Sequence, residues 1–432
     1  MSFVNKKNFS QILYILSFFL LSVFVFLEHI DWLRGLKNAS LYLALFLALL
    51  YAFLNFKISL NNIFENYKTA KVGLMFASAF IACVFVVSSF AYDENYPSLF
   101  RAFRHFGRAI AFLLVILLLF NGDKRVILWL FYSFLCAFVI GGGDDFYSLI
   151  SSFENLSANN YLQAVLVSRS YADFVDRFLP FGLCALLLLK STRLRVFVAI
   201  VGVILPLFLD LFTGSRGSWL ACAFSLIIFL SLTQNTQIKA FIKAHLRLFI
   251  VCLLCFFVAF GALVWHSTVL KFKLTQGFDS SGRTLIIKER FNAILATNGL
   301  VFGLGYGKEQ YDSALINADK LGLKTAKKYG TIDNGRQNYW NDEPFFLGYL
   351  YYYGVFGALC IFGLFVCVLM LSFKGFYRTK NPLLLAVFLS VLAYFGVRGL
   401  FECYNLRVLY LFYLLGFLIM ILRAKDEKCA NC

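Results

Sequence analysis

The chain alternates long apolar runs with short polar breaks almost from end to end. A helix crossing a hydrocarbon layer needs roughly 20 mostly apolar residues, and by that measure about twelve spans are predicted. They lie near residues 10–28, 38–56, 71–91, 107–121, 126–142, 177–190, 194–213, 217–234, 246–266, 345–373, 382–398 and 404–422. The runs are helices because lipid offers backbone groups no hydrogen-bond partner. The sixth span is short, with Pro180 near its start. The expected fold class is all-α, a polytopic membrane protein. No tandem repeat or Gly/Ser linker divides it, so 1–432 reads as a single membrane domain. One interval, 267–344, between the ninth and tenth spans, is long and polar. Loops of that length are usually functional or disordered, and loops on a rigid frame carry much of protein chemistry. The site is expected there.

Composition and charge fix the setting. The chain is 61% hydrophobic and 15% charged, with 53 Phe, 23 Tyr and a net charge of +17, well short of the roughly 25% charged residues of soluble domains. With the N-terminus inside, the inside segments hold 19 of the 40 Lys and Arg residues but only 4 of the 23 acids. That matches the positive-inside rule. It places both termini in the cytoplasm and the 267–344 loop on the other face, which in a bacterial inner membrane is the periplasm. The basic excess is thereby explained without a nucleic-acid partner; the partner it implies is the bilayer. The first apolar run, Ile12 to Leu27, lacks a small-residue cleavage site and reads as a retained helix. Eight of the 11 cysteines lie inside apolar runs, where Cys acts as a small hydrophobe. His29, His105, His245 and His266 do not cluster, so no metal site and no cofactor are expected.

Ionisable residues at membrane depth are the candidates for chemistry. Arg216 stands in Thr213-Gly-Ser-Arg-Gly-Ser-Trp219, where the seventh span turns directly into the eighth. Flanking glycines allow close ligand approach, and a guanidinium grips two phosphate oxygens at once. Asp210, one turn earlier, is expected to pair with Arg216 or to face a polar cavity. Arg283 follows Ser280-Ser-Gly and opens an amphipathic stretch, Leu285 to Leu295. A cation near a helix N-terminus is unfavourable unless an anion joins it. Gly303-Leu-Gly-Tyr-Gly307 lacks the spacing and context of a nucleotide loop and reads as a tight turn. Asp342 and Glu343 precede Pro344 at the mouth of the tenth span, where a carboxylate can act as general base or helix cap. Arg101, Arg104 and Arg108 share one helix face on the outer side, and Arg398 with Glu402 form an i,i+4 pair.

Three of these features together resemble the O-antigen ligase family, over roughly residues 195–420. They are the Ser215-Arg-Gly217 turn, Ser281-Gly-Arg283 with the downstream Gly303-x-Gly-x-Gly307, and Tyr353-Gly-Val-Phe-Gly357 after the loop. The family shares its fold with O-antigen polymerases and some protein O-oligosaccharyltransferases. The resemblance implies an inverting, metal-independent glycosyltransferase. Its donor is a glycan on undecaprenyl diphosphate, its acceptor a lipid A-core sugar, and its active site periplasmic. Arg216 and Arg283 would bind the diphosphate. Where the family commonly has His-Asn before the tenth span, this chain has Glu343-Pro344, so Glu343, or Asp342, takes the part of base. Arg104, Arg108 and Trp340 are possible further substrate contacts. The alternatives are a polymerase of the same fold and a transporter or flippase. The last predicts charges buried mid-span, whereas apart from Asp210 the charges gather at the outer ends of the predicted spans.

Overall fold

A computed structural model of the chain describes residues 3–28, 30, 33–90, 98–141, 147, 161–213, 215–233, 299–303, 305, 331–333, 336–338, 345–400 and 407–424, with isolated helical positions between 243 and 295. The helices in chain order are α1 (Phe3–Leu27), α2 (Arg34–Leu54), α3 (Phe56–Thr69), α4 (Lys71–Phe90), α5 (Ser98–Leu119), α6 (Lys124–Cys136), α7 (Tyr161–Leu188), α8 (Thr192–Ala199), α9 (Leu205–Phe212), α10 (Arg216–Leu232), the single turn α11 (Gly299–Phe302), α12 (Phe345–Thr379), α13 (Pro382–Val391) and α14 (Arg407–Arg423). Short π-helical stretches, Ala137–Gly141, Ile200–Ile204 and Leu392–Val397, extend α6, join α8 to α9, and extend α13. The described strands are one antiparallel pair, β1 (Thr331–Asp333) and β2 (Arg336–Asn338), in the register Asp333 opposite Arg336. Asn334 and Gly335, between them in sequence, are the residues tight hairpins favour.

Seven described helices are long and apolar enough to cross a membrane: Asn8–Leu27, Arg34–Leu54, Lys71–Phe90, Ala102–Leu119, Thr192–Leu211, Gly348–Thr379 and Pro382–Leu400. Arg216–Leu232 and Val408–Arg423 are shorter and equally apolar. Outward faces keep large apolar side chains such as Phe46, Phe53 and Ile227 exposed, as a lipid-facing surface requires. One expected boundary is wrong. The helix that holds the expected sixth span begins not at 177 but at Tyr161, giving α7 28 residues with Pro180 inside it. Asp173, Asp176 and Arg177 made its first half look like loop, and each is neutralised within the fold.

The chain divides into two compact units. The first comprises residues 1–130, 282–371 and 399–432. In it α1 packs along α2, and α5 packs on α2, α3, α4 and α14. Helix α3 falls in a stretch that the sequence pattern reads as a polar loop, and two buried amides tie it to its neighbours. Asn62 and Asn66, one turn apart, donate to the last carbonyls of α5: Asn62 to Leu118 and Leu119, Asn66 to Ile116, Leu117 and Phe120. Arg423 at the end of α14 donates in turn to Asn66 Oδ1 (2.8 Å), Asn62 Oδ1 (3.0 Å) and the Phe120 carbonyl. The carbonyls that every helix leaves unpaired at its C-terminus are thus met by side chains from two other helices.

The same unit explains Gly303, the first glycine of the GxGxG segment. Gly354 has φ +66 and breaks α12 into two helices. A Cβ there would overlap the Val301 carbonyl, and one at Gly303 (φ +78) would overlap the Tyr352 carbonyl. Carbonyls freed by the break find outside donors: Gly305 N–H reaches Tyr352 O at 3.1 Å, and Cys83 Sγ lies 3.7 Å from Tyr353 O. Close backbone contact at a helix break, as opposed to nucleotide binding, is what these glycines serve.

Candidate functional site

The second unit comprises residues 131–281 and 372–398, and it buries a cluster of charge. Two prolines shape the frame. Pro180 has no N–H for the Asp176 carbonyl one turn earlier, and the neighbouring Arg177 carbonyl accepts from Ser390 Oγ at 2.9 Å. Pro206 leaves the Gly202 carbonyl without its α-helical donor. The helix responds with a π turn in which Leu205 N–H reaches back to Ile200 O. The Gly202 carbonyl lies where a Cβ on Gly182 would be, so only glycine fits at 182. A second π turn, Leu392–Val397, ends with Arg398 N–H bonded to Ala393 O. The extra residue rotates Arg398 away from the α-helical register. Such insertions recur at functional sites.

These elements converge on five side chains. Arg398 Nη1 is 2.5 Å from Asp176 Oδ2, and both side chains are 0% exposed. Ser218, also fully buried, has its Oγ 2.8 Å from Asp176 Oδ1 and 2.9 Å from Asp210 Oδ2. Cys222 Sγ lies 3.5 and 3.8 Å from the same two oxygens. A separate pair sits beside them. Arg177 Nη2 is 3.1 Å from Asp173 Oδ2, which also accepts from Tyr394 Oη at 3.0 Å, and the guanidinium lies over the Tyr394 ring.

Asp210 ties this cluster to the turn that carries Arg216. Its carbonyl accepts from Thr213 N (3.0 Å), Thr213 Oγ1 (2.6 Å) and Trp219 Nε1 (3.1 Å). Thr213 Oγ1 accepts from Ser215 N at 3.2 Å. Ser215 is the N-cap of α10, yet it makes no side-chain cap bond, and its buried Oγ has no partner among the described residues. Arg216 is the first residue of α10 and is half-buried. The turn therefore presents a guanidinium, a spare hydroxyl and the first N–H groups of a 17-residue helix. Such a combination is chemically suited to an anion, since helix N-termini carry partial positive charge.

The other predicted residues are distributed as follows. Asp210 does not pair with Arg216; its carboxyl is taken up by Ser218 and Thr213. Arg104 is exposed on α5. Arg108, also on α5, donates to Glu28 Oε1 at 3.0 Å, and Lys37 lies 3.6 Å from the other Glu28 oxygen. Arg398 pairs with Asp176; Glu402, its expected partner, lies outside the described residues, as do Arg283, Trp340, Asp342 and Glu343. Asp173, Asp176, Arg177 and Ser218 were missed. Their signal was present: Asp173, Asp176, Arg177 and Pro180 follow a helical spacing, and Asp173 with Arg177 form an i,i+4 pair. No group of three potential metal ligands occurs among the described residues. Neither a known protein-family model nor a curated protein sequence matches the chain.

Proposed function

We propose that the chain is a polytopic glycosyltransferase of the O-antigen ligase type, with about twelve spans in a bacterial inner membrane and a periplasmic site that uses a glycan on undecaprenyl diphosphate. The observation that carries this reading is the Arg216 turn. A guanidinium, a buried hydroxyl without a partner among the described residues and a helix N-terminus without a side-chain cap bond meet there. Diphosphate is the leaving group, so negative charge grows on it as the anomeric C–O bond breaks. Donors already in place stabilise that charge, typically by a few kcal/mol for each one. Arg283 would supply the second cation. The acceptor hydroxyl of a lipid A-core sugar gives its proton to Glu343, or to Asp342, as its oxygen attacks the anomeric carbon from the opposite face. The electron pair of the broken bond leaves on the diphosphate, and the configuration inverts. Trp340, with Arg104 and Arg108, would contact the sugars.

The test is a lipopolysaccharide gel from a strain lacking the gene. A ligase predicts unsubstituted core with lipid-linked polymer accumulating. Core carrying one repeat would assign the protein to the polymerases of the same fold instead. A specific observation also favours transport, the third reading. The acids Asp176 and Asp210 and the cation Arg398 are all buried, where only Asp210 had been expected away from the outer ends of the spans. Transport predicts that the purified protein moves the lipid-linked glycan across vesicle membranes without transferring it to an acceptor.

A further inference from the structure

The buried cluster holds a count that does not close with ordinary charges. A serine hydroxyl has one proton to donate, and an ionised carboxylate only accepts. Ser218 Oγ nevertheless lies within hydrogen-bond distance of two carboxyl groups, at 2.8 Å from Asp176 and 2.9 Å from Asp210. If both acids were ionised, one contact would set two lone pairs against each other. The charges give the same answer. Arg398 is the one cation bonded to this acid pair among the described residues, and it lies on Asp176. Arg177 is engaged with Asp173, with the Tyr394 hydroxyl on the same oxygen. Cys222 adds only a weak donor at 3.5 and 3.8 Å. Two carboxylates sharing one buried site do not both ionise. A proton on either acid would satisfy both carboxyl contacts of Ser218, and Arg398 decides between them: its guanidinium on Asp176 Oδ2 keeps Asp176 ionised, so the proton sits on Asp210 Oδ2 and is donated to Ser218 Oγ, whose own proton goes to Asp176 Oδ1.

We infer that Asp210 is held in its protonated form and is the positioning residue of the Arg216 turn. Its carboxyl and carbonyl engage Thr213, Ser218 and Trp219, on both sides of Arg216. A neutral acid does this without adding a negative charge to the helix turn that precedes an anion-binding segment. The positioning half rests on the diphosphate reading given above; the proton does not.

The experiment uses the full chain in lipid nanodiscs, in two arms. Infrared spectra at neutral pH in H2O and D2O should show a protonated-carboxyl C=O band that shifts on deuteration. It should be lost in Asp210→Asn and kept in Asp173→Asn. Absence of the band in the wild type, or its survival in Asp210→Asn, overturns the inference. So does failure of Asp210→Asn to fold, because Asn reproduces the donor and acceptor of a neutral acid. In the second arm undecaprenyl diphosphate is titrated. Asp210→Asn should bind within about twofold of wild type and Asp210→Ala at least tenfold more weakly. Equal binding by the Ala variant overturns the positioning role. If the wild type binds no diphosphate, the diphosphate reading and with it the positioning role fall, while the infrared result decides the proton on its own.

Discussion

The Asp176–Arg398 pair gives the firmest energetic prediction. Both side chains are wholly buried, and the contact is short. Arg398→Gln leaves Asp176 with the Ser218 hydroxyl and the Cys222 thiol in place of a guanidinium; Asp176→Asn leaves a buried guanidinium facing a neutral amide. Removing one partner of a buried pair typically destabilises by about 3–5 kcal/mol, because the remaining charge keeps its desolvation penalty. The attraction itself is on the order of 4 kcal/mol for charge centres about 4 Å apart at an effective dielectric constant near 20. Replacing both partners removes the penalty with the attraction, so the double variant should lose far less than the sum of the singles. A coupling of at least ~2 kcal/mol is expected. The cycle is measured by equilibrium unfolding of the purified protein in mixed micelles, with the Asp173→Asn, Arg177→Gln cycle as comparison. That pair is 13% and 16% exposed, so its coupling should be smaller. A coupling below about 0.5 kcal/mol for Asp176–Arg398, or one no larger than that of the partly exposed pair, would refute the buried-pair argument.

Other outcomes follow from geometry already described. Arg216→Ala should lower transfer by about 100-fold or more in an in vitro assay while the protein still inserts; Arg216→Lys should fall between, since an ammonium lacks the planar fork. Unchanged transfer in Arg216→Ala would remove the diphosphate clamp. Gly354→Ala should destabilise the first unit by about 2 kcal/mol or more, because it adds a left-handed backbone penalty to an overlap with the Val301 carbonyl; thermal unfolding in detergent reads this out. Asn66→Ala should cost about 1–3 kcal/mol by leaving the Leu117 carbonyl without its side-chain donor, while the Ile116 carbonyl keeps the Phe120 N–H and the Phe120 carbonyl keeps Arg423. Asn66→Asp, which restores the shape but not the donor, should fare no better.

The long apolar runs were readable because burial in lipid demands uninterrupted hydrophobicity, and α1, α2, α4 and α12 lie where that demand places them. What escaped was polarity satisfied at a distance. Asp176 finds Arg398 222 residues away, and Asn66 finds Arg423 357 residues away. No local window contains both partners, so α3 read as loop and the start of α7 was placed at 177. Arg216 was legible because its signal is local, a charge between two glycines at the end of an apolar run. The role of Asp210 was not, because its partner Ser218 looks ordinary until α7 brings Asp176 to its other side. Gly303 stood out in the sequence only as part of a GxGxG run; the sequence does not show that Gly354 is what it packs against.

The two arginines on the last helices also set an order of events during synthesis. Each unit is discontinuous in the chain, and each is locked by a guanidinium that leaves the ribosome late, Arg398 for the second and Arg423 for the first. Until Arg398 is made, Asp176 sits in a helix without its counter-charge; until Arg423 is made, Asn62 and Asn66 hold the end of α5 without the donor that orients them. Both units therefore pass through a stage in which most of the chain is inserted but neither is closed. A chain truncated between residues 398 and 423 should have a second unit that resists protease and a first that does not.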